Sequence, residues 1–106
     1  MIDRERLVDS FLELVKIDSP SGEEDLMAEE MIRRLKSLNV DVWEDDHGNV
    51  LGRYPDPTSS IETIGSPILL SAHLDTVEPG KGITPHFDGP DIIRSDGTTI
   101  LAADDK

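Results

Sequence analysis

His73 and Asp75 stand two positions apart in the run Ser71-Ala72-His73-Leu74-Asp75-Thr76, and the chain closes on Ala102-Ala103-Asp104-Asp105-Lys106. If the first pair leaves the end of a strand, the period of two turns both side chains to one side. An imidazole can then give one ring nitrogen to a divalent cation while a neighbouring carboxylate holds the other ring N–H and fixes its tautomer. Asp104 and Asp105 would add hard oxygen donors of the kind such a cation accepts beside a histidine nitrogen.

Placing these groups takes a strand that ends near residue 72. Pro67 leads into Ile68-Leu69-Leu70-Ser71-Ala72, an apolar run suited to an interior strand buried on both faces. His73 and Asp75 follow it directly, and ligands of open α/β sheets gather beyond the carboxyl ends of strands. Upstream, Asp3 is placed to cap a helix whose stripe is Leu7, Val8, Phe11, Leu12 and Val15. Ile17-Asp18-Ser19-Pro20 ends that helix, because the residue before proline is pushed out of the helical region. Ser21 with Glu24 reads as a capping box opening a second helix along Met27, Met31, Leu35 and Leu38, the methionines being core fillers.

From Val40 the apolar period becomes two. Val40 and Val42, then Val50, Gly52 and Tyr54, flank the turn cluster Asp45-Asp46-His47-Gly48-Asn49, which predicts a β-hairpin. His47 is read as an exposed turn residue and Trp43 as cover for a sheet face or helix junction. Residues 54–66, with Pro55, Pro57 and Gly65, form a loop where an insertion would be tolerated. After Val77, the turn formers around Glu78-Pro79-Gly80 and Pro85-His86-Phe87 argue against regular structure. Ile92-Ile93-Arg94 and Thr98-Thr99-Ile100-Leu101 read as short strand pieces joined through Ser95-Asp96-Gly97. His86 is read as structural.

The chain has 106 residues, room for one small domain, and its 36% hydrophobic content is lean for a self-sufficient core. A formal net charge of −13, from 23 acidic against 10 basic residues, disfavours nucleic acid and anionic membranes as partners. Cysteine is absent, so disulfides and thiolate metal sites are excluded. The charged opening Met1-Ile2-Asp3-Arg4-Glu5-Arg6 is unlike a secretory signal, and no apolar run reaches the ~20 residues of a membrane span. The expectation is a cytoplasmic protein.

Three ordered stretches carry a family resemblance: His73-Leu74-Asp75-Thr76-Val77, then Ser95-Asp96-Gly97-Thr98-Thr99-Ile100-Leu101, then Ala102-Ala103-Asp104-Asp105-Lys106. Together they resemble the co-catalytic di-zinc exopeptidases of the aminoacylase and carboxypeptidase G type, above all the tripeptide aminopeptidases called peptidase T. Asp18-Ser19-Pro20-Ser21-Gly22-Glu23-Glu24 and the hairpin ending Asn49-Val50 also follow that pattern, so the resemblance covers the chain. It implies that His73 is a ligand to one zinc, that Asp75 is the catalytic aspartate bracing this histidine, and that Asp104 bridges two metals. Asp105 is its neighbour and not a ligand, and the peptide bond between the two aspartates is implied to be cis when metal is bound, at a cost of ~2.5 to 4 kcal/mol. Cobalt or manganese could replace zinc with these ligand types.

Two departures accompany the resemblance. Ala102 stands where the members most alike usually have glycine, which strains the backbone if φ there is positive. The family's glutamate pair, its remaining ligands and its smaller lid and dimerisation domain would all lie beyond Lys106. The expectation is therefore an α/β fold, residues 1–106 being an incomplete N-terminal portion of a catalytic domain, with a mixed sheet and two N-terminal helices. Alone it should bind metal weakly and hydrolyse nothing, since a catalytic zinc takes about three protein ligands. The complete protein is expected to cleave short peptides with two zinc ions, with a homodimer left open. The alternatives are an amidohydrolase acting on N-acyl amino acids or carboxypeptidase-type substrates, and a non-catalytic acidic interaction module.

Overall fold

Asp3 begins the first element by accepting, through Oδ1, a hydrogen bond from the Arg6 N–H at 3.1 Å. In the computed structural model, which describes residues 1–54 and 68–102, helix α1 then runs Arg4–Val15 and ends at Lys16. Its predicted stripe is graded: Val15 is buried, Val8, Phe11 and Leu12 are half-buried, and Leu7 is exposed. Helix α2 is Asp25–Ser37, and strands β1 (Asp41–Glu44) and β2 (Val50–Arg53) follow it. Two further short strands, β3 (His86–Phe87) and β4 (Ile93–Arg94), complete the regular structure of the described residues. The architecture is α/β, two helices with small antiparallel sheets.

The chain divides into two units. One comprises Met1–Met27 and Leu74–Lys106, the other Ala28–His73, so α2 starts in the first and continues into the second. In the first unit Val15 and Ile83 are the buried hydrophobic side chains among the described residues. Here β3 and β4 pair antiparallel, His86 opposite Arg94 and Phe87 opposite Ile93. The expectation of no regular structure at Pro85-His86-Phe87 is thus corrected, the partner strand supplying its hydrogen bonds, while Thr98 to Leu101 is not the strand piece expected beyond the Ser95-Asp96-Gly97 turn. That turn is closed instead by side chains, the Ser95 hydroxyl donating to the Thr99 carbonyl at 2.8 Å.

In the second unit the predicted hairpin forms with Val42 opposite Gly52 and Glu44 opposite Val50. Asp45 builds the turn: Oδ1 accepts from the His47 and Asn49 N–H groups, each at 2.9 Å, and Oδ2 accepts from Asn49 Nδ2 at 2.8 Å. These bonds, first those from Asn49, hold the Asp45 carboxyl below its ordinary range. A methyl group at Gly52 would come within 3.1 Å of Val40 Cγ1 and 3.5 Å of Leu35 Cδ1, so the bare backbone here admits a close approach of the α2 side chain. Asn39 makes the turn out of α2 in the left-handed region, φ 59, a conformation asparagine tolerates at helix ends.

Two further expectations fail. The predicted capping box does not form: α2 begins at Asp25, four residues past Ser21, whose hydroxyl is committed elsewhere, while Glu24 Oε1 accepts from the Gly22 N–H at 2.6 Å. The apolar run at residues 68–72 is not a strand, with Ile68, Leu69 and Leu70 exposed at 90%, 89% and 89%. A strand is defined by neighbours that complete its hydrogen bonds, and among the described residues none flanks this run. The loop at residues 55–66 lies outside the described residues. No helix among the described residues is long and apolar enough to cross a membrane.

Candidate active site

The segment around Asp75 is fastened to residues 18–21. Ser19 is fully buried and works at both ends: its hydroxyl donates to the Leu74 carbonyl at 2.8 Å. Its own carbonyl accepts the Thr76 N–H at 2.8 Å and the Thr76 hydroxyl at 3.3 Å. A parallel bridge between Pro20 and Thr76 continues the contact. The residues before and after Asp75 are thereby pinned, and the half-buried Asp75 carboxylate accepts through Oδ2 a hydrogen bond from the Ser21 hydroxyl.

Farther along, the Gly82 N–H donates to Asp18 Oδ1 at 2.8 Å and the Gly80 N–H to Glu78 Oε2 at 3.1 Å. Gly80 is tight against its neighbours, for a Cβ there would meet the Val77 carbonyl at 2.5 Å and Thr76 Oγ1 at 2.9 Å. Lys81 Nζ lies 3.4 Å from Glu23 Oε2, an exposed pair of small energetic weight. The result is a polar cradle that sets the backbone path from Leu74 to Gly82.

His73 is exposed and closes the second unit, while Asp75 belongs to the first. Asp104 and Asp105 lie outside the described residues, as does the peptide bond between them. Among the described residues there is no group of three or more histidine, cysteine, aspartate or glutamate side chains arranged to hold a metal ion. The donor types fit a divalent ion, since His73 offers an imidazole nitrogen and the aspartates offer carboxylate oxygens. Of the other histidines, His47 falls where the sequence placed it, whereas His86 lies on a strand where turn formers argued against one. His47 is an exposed turn residue, and His86 lies on β3, its positive field contributing to a lowered Asp96 carboxyl whose larger cause is the hydrogen bond from the Thr98 hydroxyl.

Sequence reasoning missed the roles of Ser19 and Ser21. Ser21 was legible as a helix cap, because a serine three residues before a glutamate suits that motif. The signal pointing the other way was the spacing: Ser19 and Ser21 share the two-residue period of Leu74 and Thr76, as partners along a short parallel contact do.

No family model matches the sequence. The chain is 37% identical over 113 residues to the uncharacterized protein YqjE of Bacillus subtilis, covering 100% of this chain and 29% of that protein. With Peptidase T of Bacillus pumilus the identity is 26% over 147 residues, covering 97% of this chain and 35% of that protein. The crystal structure of a tripeptidase from Staphylococcus aureus matches with a TM-score of 0.85 and 37% identity, over 99% of this chain and 29% of that one. That of the aminopeptidase PepT from Bacillus cereus matches with a TM-score of 0.82 and 35% identity, over 98% of this chain and 29% of that one. The chain thus spans about a third of the length of the relatives it matches. Over nearly all of its residues the chain is similar in sequence and fold to these peptidases.

Proposed function

We propose that the chain is the N-terminal portion of a metal-dependent exopeptidase that removes residues from short peptides, an aminopeptidase on tripeptides above all. The observation that carries this reading is the likeness to the Staphylococcus aureus tripeptidase, 37% identical with a TM-score of 0.85 over 99% of the chain. A cytoplasmic location and short peptides as partners belong to the same proposal.

His73 and Asp104 are assigned as metal ligands, Asp104 being shared between two zinc ions, and Asp75 as the carboxylate that braces the His73 imidazole. Such a metal pair, when bound, lowers the pKa of a water toward neutrality and polarises the scissile carbonyl. The part of this chain is to hold its donors in place. Ser19 fixes the backbone on both sides of Asp75 through its bonds to Leu74 and Thr76, so the carboxylate starts from a set position. A histidine whose free ring N–H is held by a carboxylate keeps one tautomer and becomes a better donor, and losing such a partner costs about 10- to 100-fold in metal affinity or activity.

The test is elemental analysis and tripeptide hydrolysis with the full-length protein. The unsubstituted protein is expected to carry about two zinc ions per chain and to release the N-terminal residue of a tripeptide. Asp104→Ala should lose both metals together, and Asp75→Ala should slow turnover by about 10- to 100-fold with only partial metal loss. Full retention of zinc by Asp104→Ala would refute the assignment, and an unsubstituted, metal-loaded protein that leaves tripeptides intact would refute the activity.

A further inference from the structure

We infer that Ser21 is a positioning residue for Asp75, its hydroxyl fixing the direction of the carboxylate; this rests on the reading of Asp75 given above. The bonds from Ser19 hold the main chain at Leu74 and Thr76, yet they leave the two side-chain torsions of Asp75 unset. The bond from the Ser21 hydroxyl to Asp75 Oδ2 acts on those torsions directly. A hydrogen bond to an ionised carboxylate is roughly twice as strong as one between neutral groups. It also does not compete with an imidazole, because a carboxylate accepts at about four lone-pair sites.

Ser21 is itself well placed to act as a fixed donor. Pro20 before it has its φ locked by the ring, and the Glu23 N–H returns to the Pro20 carbonyl at 2.9 Å. Gly22 after it sits at φ 87, the left-handed conformation that the third residue of a type II turn demands. Pro20-Ser21-Gly22-Glu23 is therefore a tight turn with the serine at its second position. Pro20 is in turn bridged to Thr76, so the turn and the aspartate segment share one anchor. Ser21 is exposed where Ser19 is fully buried. The two serines consequently divide the work: Ser19 holds the main chain, and Ser21 aims one side chain.

That division is testable with Ser21→Ala, Ser21→Thr and Ser19→Ala in the full-length protein. Ser21→Ala is expected to lower kcat on a tripeptide about tenfold, with KM within about twofold and Tm unchanged. Ser21→Thr keeps the hydroxyl and should restore most of the loss, whereas Ser19→Ala should lower Tm. A readout independent of turnover is the carboxyl carbon resonance of Asp75 in the metal-free protein, which should move in Ser21→Ala and return in Ser21→Thr. Unchanged kcat together with an unmoved resonance in Ser21→Ala overturns the inference. So does equal impairment of both Ser21 variants with a lowered Tm. If the unsubstituted protein cleaves no tripeptide but the resonance responds as described, the proposed activity fails and the positioning of Asp75 stands.

Discussion

At Ala102 the backbone adopts φ 67, a left-handed conformation that an L-residue with a Cβ enters at a cost of about 1–2 kcal/mol. The family resemblance marked this position because glycine is usual there, and the structure meets the condition under which alanine is strained. The residue lies two positions before Asp104, where a precise main-chain path matters if that aspartate holds metal. Replacing it with glycine relieves the strain but frees the unfolded chain, offsetting about 0.5–1 kcal/mol. Ala102→Gly is therefore expected to stabilise the protein by about 0.5–1 kcal/mol, read from the midpoint of a urea transition. A lower midpoint would mean that the left-handed conformation is not populated. Nothing in local sequence pattern gives φ at residue 102; the resemblance to glycine-bearing proteins posed the condition, and the structure meets it.

Helix α2 carries the clearest electrostatic feature among the described elements. Glu30 accepts from Arg33 Nε at 2.9 Å and Nη2 at 2.5 Å, and from Arg34 Nε at 2.7 Å. The Arg33 bonds first, then the Arg34 bond, pull its carboxyl from an ordinary 4.5 to about 2. A carboxyl depressed in the folded state releases its proton more readily there than in the unfolded chain, so it contributes stability above pH 4.5 that is lost as pH falls toward 2. Asp45 and Asp96 are depressed as well and act in the same direction at the acid end. Glu30→Gln should flatten the acid limb of stability between pH 4.5 and 2, measured by chemical denaturation at a series of pH values. An acid limb identical to that of the unsubstituted protein would show that the Glu30 pairs carry no net stability. At this scale the sequence was informative wherever a signal was local. Asp3 before an apolar stripe gave α1, and Asp45 to Asn49 between alternating valines gave the hairpin. It misled where partners are distant in the chain, as with Ser21 and Asp75, 54 residues apart, because a cap motif and a long-range donor look alike in one dimension. For the metal site, His73 and Asp75 were legible as chemistry, but their use depends on Asp104, outside the described residues.

Over the whole chain, the apolar run at residues 68–72 is the feature that bears on association of the 106 residues. It was legible as strand-forming sequence, and the structure leaves Ile68, Leu69 and Leu70 about 90% exposed. The run contains no charge, proline or glycine to discourage pairing, and among the described residues no strand flanks it, so its exposed apolar side chains make an association-prone segment. The net charge of −13 opposes association over distances of about one Debye length, ~10 Å at 0.1 M salt, and is screened beyond it. Salt should therefore promote light scattering by the 106-residue chain, and Leu69→Lys should suppress it by placing a charge in the middle of the run. Because Leu69 is 89% exposed, the substitution removes almost no packing and Tm should stay within about 2 °C. A drop of more than about 4 °C in Tm would mean that the run is packed in solution, and unchanged scattering would place the association elsewhere on the chain.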